Sequence, residues 1–194
     1  MANIELLKQL REETGISMME CSKALEEANG DIKRAKEILR EKGKEMIKGR
    51  EGRATSSGVV NAYIHGEGKI GVLLQLTCES DFVAKSTDFK KLAHDISLHI
   101  AAASPLFVSP DEISEEFLDG ETKIYKKQIA DSGKPKEIVD KILEGKLNKY
   151  KEEVSLLKQA WVKDSSRTIQ DLLDEAKAKI GENIEVAKFC RYAI

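Results

Sequence analysis

The sequence predicts an α+β fold: three short helices at the N-terminus, a linker, then a core of about three antiparallel strands packed with helices. Three observations carry that prediction. Apolar residues recur at helical spacing through most of the chain, strict alternation takes over at residues 69–79, and the period changes again in the tail at 184–192. With 194 residues, 41% hydrophobic and 34% charged and with only 3 Pro, the chain reads as a soluble, helix-rich protein with one sizeable core and a small extra module.

Ile4, Leu7 and Leu10 form the first helical stripe, and Thr14-Gly15 stops it. Ser17-Met18-Met19-Glu20 has the spacing of a capping box, so a second helix opens there and buries Cys21, Ala24, Leu25 and Ala28. Asn29-Gly30 ends it. Asp31 caps a third helix carrying Ile32, Ala35, Ile38 and Leu39, with Gly43 as the next stop. Residues 1–43 are therefore read as one module. Its acidic groups precede its basic ones, the pattern of a solvated helix face. Periodicity fades and glycine and serine accumulate over 44–57, which reads as a linker.

The core domain spans 58–194. Residues 59–65 read as a strand, Gly66-Glu67-Gly68 as a turn, and Ile70, Val72, Leu74, Leu76 and Cys78 as the buried face of a second strand. Phe89, Leu92, Ala93, Ile96, Ile100 and Ala103 follow at helical offsets, capped by Ser86 or Thr87 and broken by Ser104-Pro105. Ser109-Pro110-Asp111-Glu112 opens another helix with Ile113 and Phe117, and Gly120 is a point of interruption. Gly133 and Pro135 separate this from a helix bearing Ile138, Ile142 and Leu143. The last helix carries Ile169, Leu172, Leu173, Ala176 and Ile180, closed by Gly181, and the tail is a third strand. A sheet of three strands leaves an edge and a face to cover, which a symmetric homodimer would do.

The chemistry searched for is mostly missing. No run approaches the ~18 apolar residues of a membrane span, and Met1-Ala2-Asn3-Ile4-Glu5 has no secretory or transit pattern, so no membrane is expected and a cytoplasmic location is. Cys21, Cys78 and Cys190 are odd in number and far apart, which suits reduced thiols rather than a disulfide framework or a zinc site. Gly66-Glu67-Gly68-Lys69-Ile70-Gly71 satisfies GxGxxG, but a strand follows it where a dinucleotide site needs a helix. A kinase glycine loop does lie between strands, yet no catalytic-loop or magnesium-binding motif follows. His94 and His99 fall on different faces of one helix, so neither they nor His65 form a metal site. No nucleophile motif appears, and no cofactor is expected. A net charge of −2 and ten dispersed aromatic residues offer no platform for nucleic acid. The protein reads as one without an active site of its own.

The segment that stands out is Cys78-Glu79-Ser80-Asp81-Phe82-Val83-Ala84-Lys85, where an aromatic and an acid lie between the long strand and the next helix. By spacing alone Phe82 is either a core residue at a strand end or a recognition anchor. Met18 and Met19 present the same choice, with at least one facing outward from the first turn of its helix.

These segments carry a resemblance. Thr14-Gly15, Met18-Met19-Glu20-Cys21, Lys23-Ala24-Leu25, Asn29-Gly30-Asp31, Leu39-Arg40 and Lys42-Gly43 resemble the N-terminal signature of the elongation factor Ts family, the guanine-nucleotide exchange factors of elongation factor Tu. Glu79-Ser80-Asp81-Phe82-Val83-Ala84 resembles its most diagnostic segment. Ser132-Gly133-Lys134-Pro135, Glu153-Val154-Ser155-Leu156 and Phe189-Cys190-Arg191-Tyr192 extend the likeness almost to the end. The chain departs from the family's more frequent Thr at position 80 and Ala-Gly at positions 16 and 17.

The resemblance implies a ubiquitin-associated-like N-terminal domain that docks on elongation factor Tu through positions such as Met18 and Met19. It implies that Ser80, Asp81, Phe82 and Val83 intrude there, dislodge magnesium and weaken GDP binding. It also implies the short form, with one core ending at Ile194, and hence a homodimer in which paired cores replace a duplication. Cys190 on the terminal strand is then either a dimer-interface thiol or an inert packing group. Two other classes compete: an adaptor binding through the three helices, and a nucleotide-using enzyme built on the glycine turn.

Overall fold

The structure is a computed structural model, describing residues 4–49, 52–130 and 135–194. The expectations placed on Met1-Ala2-Asn3, on Arg50 and Glu51 of the linker, and on Ser132-Gly133-Lys134 lie outside the described residues. The architecture is α+β, with helices α1 (Ile4–Thr14), α2 (Met18–Glu27) and α3 (Ile32–Lys48) leading into strands β1 (Ser57–His65) and β2 (Ile70–Cys78). Then come α4 (Asp81–Lys85), α5 (Thr87–Ala103), α6 (Glu115–Ala130) and α7 (Lys136–Val154). The chain ends with β3 (Ala160–Trp161), β4 (Asp164–Thr168), α8 (Ile169–Ile180) and β5 (Ile184–Ala193). One sheet has the order β1-β2-β5, with β2 central, and β3 and β4 form a separate antiparallel pair.

The chain divides into two compact units. The first comprises Met1–Asn61, Gln75–Ala93 and Asp171–Val186, the second Ala62–Leu74, His94–Gln170 and Ala187–Ile194. The strands of the larger sheet and α5 thus contribute residues to each.

In the first unit α1, α2 and α3 pack on one another around Leu10, Cys21, Ala24, Leu25, Ala28, Ala35, Ile38 and Leu39. Local chemistry sets each helix end. Gly15, at φ +68°, donates its N–H to Arg11 O at 2.7 Å and ends α1. Ser17 caps α2 by accepting from Glu20 N at 3.3 Å, and Asn29 and Gly30 end it in left-handed conformations. Asp31 Oδ1 accepts from Lys33 N at 2.8 Å and Arg34 N at 3.2 Å to start α3.

Gly43 does not stop α3, which runs on to Lys48. A Cβ built on Gly43 would stand 3.6 Å from Ala178 Cβ of α8, and the glycine is buried at this approach inside a continuous helix. The connection to β1 is correspondingly short, residues 49–56.

In the second unit the turn between β1 and β2 has Gly66, Glu67 and Gly68 all at positive φ, closed by Lys69 N–H to Gly66 O at 3.1 Å. Ile96 and Ile100 of α5 are fully buried, as are Leu74, Leu156 and Ile169. The helix read from Ser109 does not begin there. Pro110–Glu112 makes a single 3-10 turn, and Glu112 Oε2 accepts from Val108 N at 2.9 Å. Ser114 then caps α6 by accepting from Phe117 N at 3.2 Å. Gly120 leaves α6 uninterrupted to Ala130. The β3–β4 pair, which no periodicity announced, frames Trp161 beneath the Arg167 guanidinium at 5.1 Å.

Candidate partner-binding site

The C-terminal end of β2 delivers the chain into α4, a helix of five residues. A helix this short is not stable on its own, so its attachments determine where it points. Ser80 is the N-cap. Its hydroxyl accepts from Val83 N at 3.3 Å and donates to Glu182 Oε1 at 2.5 Å, while its N–H donates to Glu182 Oε2 at 2.9 Å. One carboxylate thereby holds both polar hydrogens of the cap residue. Burial, with Glu182's charge adding to it, pushes the Cys78 thiol up, and that thiol donates to Ser80 O at 3.2 Å.

The neighbouring carboxylate is used in the opposite direction. Glu79 Oε1 accepts from Asn183 N at 2.6 Å, and Glu79 Oε2 lies 3.6 Å from Arg53 Nη1. Asn183, 1% exposed, donates its side-chain amide to Arg53 O at 3.0 Å and Glu185 Oε1 at 2.8 Å. The β2–α4 and α8–β5 connections therefore exchange carboxylates, each gripping the other's backbone. Such charge-assisted bonds are short and directional.

What this frame presents is Phe82, 85% exposed, between Asp81 and the buried Val83 and Ala84. Burying a phenylalanine stabilises by about 1.5–3 kcal/mol, and the fold forgoes most of that here. Asp81 pairs with Lys85 one turn on, both side chains in solvent, where such a pair is worth little. An aromatic ring and a carboxylate on a pinned turn are suited to entering another surface.

The sequence profile of the family described as Elongation factor TS matches residues 5–194. The chain belongs to the elongation factor Ts family. It is 50% identical to elongation factor Ts of Coprothermobacter proteolyticus, over 97% of this chain and 96% of that one. It is 48% identical to that of Acetivibrio thermocellus, over 99% and 89%, and 45% identical to that of Thermosipho melanesiensis, over 100% and 99%.

Of the residues expected from the elongation factor Ts resemblance, Ser80, Asp81, Phe82 and Val83 lie together at α4, but they divide by direction. Asp81 and Phe82 face outward, whereas Ser80 and Val83 face the support. Met18 and Met19, 37% and 63% exposed, are in the same unit on α2, which packs on α1 and α3. Cys190 is half-buried on the part of β5 that belongs to the second unit, and all three cysteines are free. Among the described residues no histidine, cysteine and carboxylate cluster could hold a metal ion, and no helix is long and apolar enough to cross a membrane. Reading the sequence missed Glu182 and Asn183, and it quoted Glu79 in the distinctive segment without giving it a role. The signal for Glu182 and Asn183 is a run of polar residues straight after the Gly181 stop, which also describes any solvated turn.

Proposed function

We propose that this protein is a guanine-nucleotide exchange factor for elongation factor Tu in translation elongation, acting without an active site of its own. Membership of the elongation factor Ts family supports the reading, and the observation that carries it to named residues is Phe82, exposed on a frame that fixes its backbone. Phe82 is the wedge, desolvated on entering the partner, and Asp81 the charged companion that disturbs the partner's magnesium and phosphate site. Ser80 and Val83 hold the wedge from beneath. Met18 and Met19 dock the three-helix module, read as ubiquitin-associated-like, and keep the complex in register.

The mechanism is differential affinity. The factor binds the nucleotide-free partner more tightly than the GDP-bound one, and reciprocity then makes GDP weaken factor binding by the same ratio. A hundredfold ratio corresponds to about 2.7 kcal/mol of coupling, within reach of one well-buried aromatic anchor. GTP later displaces the factor by the same linkage. We read the protein as a cytoplasmic homodimer paired through the core sheet, with Cys190 near the pairing and no role for nucleic acid, membrane or cofactor. The exposed Ile64 and Leu73 on its strands support such pairing. Light scattering at micromolar concentration should give twice the chain mass.

The deciding experiment loads elongation factor Tu with a fluorescent GDP and follows its release at fixed magnesium. Catalytic amounts of this protein should accelerate release. An unchanged rate with a matched-species partner would end the exchange reading.

A further inference from the structure

The structure assigns to Glu182 the part of a positioning residue for the Phe82 wedge, an inference that rests on the exchange reading above. Glu182 follows Gly181, which ends α8 at φ +88°, and so reaches α4 from a sequence position about a hundred residues away. Its two oxygens take the N–H and the O–H of Ser80 at 2.9 and 2.5 Å. Satisfying both fixes the rotation of the Ser80 hydroxyl, which leaves its lone pair toward Val83 N at 3.3 Å and closes the first turn of α4. Asp81 and Phe82 are the two residues between that acceptor and that donor.

The ring itself has little contact that would orient it, being 85% exposed, so the direction in which it leaves the surface is inherited from the backbone of residues 80–83. The reciprocal bond from Asn183 N to Glu79 Oε1 at 2.6 Å stops the two connections sliding past each other. Glu182 touches no partner in this scheme. It removes alternative directions of Phe82 before the encounter, so that the ordering cost is not taken from the binding that displaces GDP.

A double-mutant cycle tests this, with Glu182→Ala, Glu182→Gln, Phe82→Ala and the two combinations assayed for stimulated GDP release at saturating factor. Amide exchange of Val83 and Ala84 is read on the same samples. Glu182→Ala should slow stimulated release about tenfold and speed exchange of those amides while leaving those of α2 and α5 unchanged. Glu182→Gln, which keeps the shape and one acceptor, should fall between Ala and wild type. In the Phe82→Ala background the Glu182 changes should cost nothing further, because there is no wedge left to aim. An equal loss in both backgrounds, or wild-type release by a folded Glu182→Ala protein, would overturn the positioning role while leaving the exchange reading standing. Absence of acceleration by the wild-type protein would instead remove the exchange reading and this role with it.

Discussion

Phe82 and His99 break the usual burial rule in opposite senses. The apolar side chain is 85% exposed on a helix of five residues, and the titratable one is wholly buried on a helix of seventeen. Around Phe82 the polar groups engage the backbone and leave the ring alone. Around His99 they engage the ring: Nδ1 accepts from Val162 N at 3.3 Å, and Nε2 lies 2.9 Å from Gln159 Oε1. An amide proton arriving at Nδ1 places the ring's own proton on Nε2, so His99 is neutral and donates to Gln159. Gln159 in turn donates to Glu153 O at 2.7 Å. The contrast separates two meanings of an unusual residue. A buried polar group with every partner in place is part of the fold, whereas Phe82, exposed on a fully bonded support, is the residue we propose to meet a partner.

The comparison breaks most sharply at Phe82. Phe82→Ala should slow factor-stimulated GDP release on the order of a hundredfold, the scale of an interface anchor, with the melting temperature unchanged. A matching fall in stability would make Phe82 a core residue after all. His99→Ala should do the reverse. It orphans Val162 N–H and the Gln159 carbonyl and leaves a cavity, costing roughly 2 kcal/mol in denaturant unfolding, while release per folded molecule stays at the wild-type rate.

A smaller effect comes from pH. Burial pushes the His99 pKa below its ordinary value, with the Gln159 bond opposing. Below about pH 6.5 the unfolded chain takes up a proton that the folded chain resists, so this contribution to stability is whole above that pH and is lost as pH falls toward the lowered folded value. Asp95, one turn earlier on α5, is already paired with Lys163 at 2.6 Å. His99→Gln should flatten the pH dependence of unfolding between about pH 7 and pH 5. A slope identical to wild type would assign it to other groups.

How much was legible in the sequence follows the range of the forces involved. Thr14-Gly15, Ser17, Gly30 and Asp31 act on bonds within five residues, and those helix ends stand where the sequence puts them. Ser109 to Glu112 has the same spacing, yet Glu112 turns to Val108 N and the helix waits for Ser114, because two local solutions competed. The β3–β4 pair is too short for alternation to register, and the turn between its strands is tied by Val162 N to His99, sixty-three residues away. The site divides likewise. Phe82 and Asp81 were visible as an aromatic and an acid between strand and helix, but the anchor or core choice stayed open, since Glu182 and Asn183 arrive from the far end of the chain.

The smallest expected effect tests whether the frame and the presented ring are separable. Gly43 was read as a helix stop from its residue type, yet it lies inside α3 and faces Ala178 of α8. Gly43→Ala adds a methyl at 3.6 Å from Ala178 Cβ, an ordinary contact, and removes the backbone freedom that glycine brings to the unfolded chain. Helix propensity and that entropy act in the same direction, so unfolding should become harder by about 0.5–1 kcal/mol. Stimulated GDP release should not move, because α4 takes its direction from Glu182 and Glu79 rather than from the stability of α3. A faster or slower release in the stabilised protein would mean that Phe82 depends on the whole first unit, and the division between presented ring and supporting frame would then be drawn too narrowly around α4.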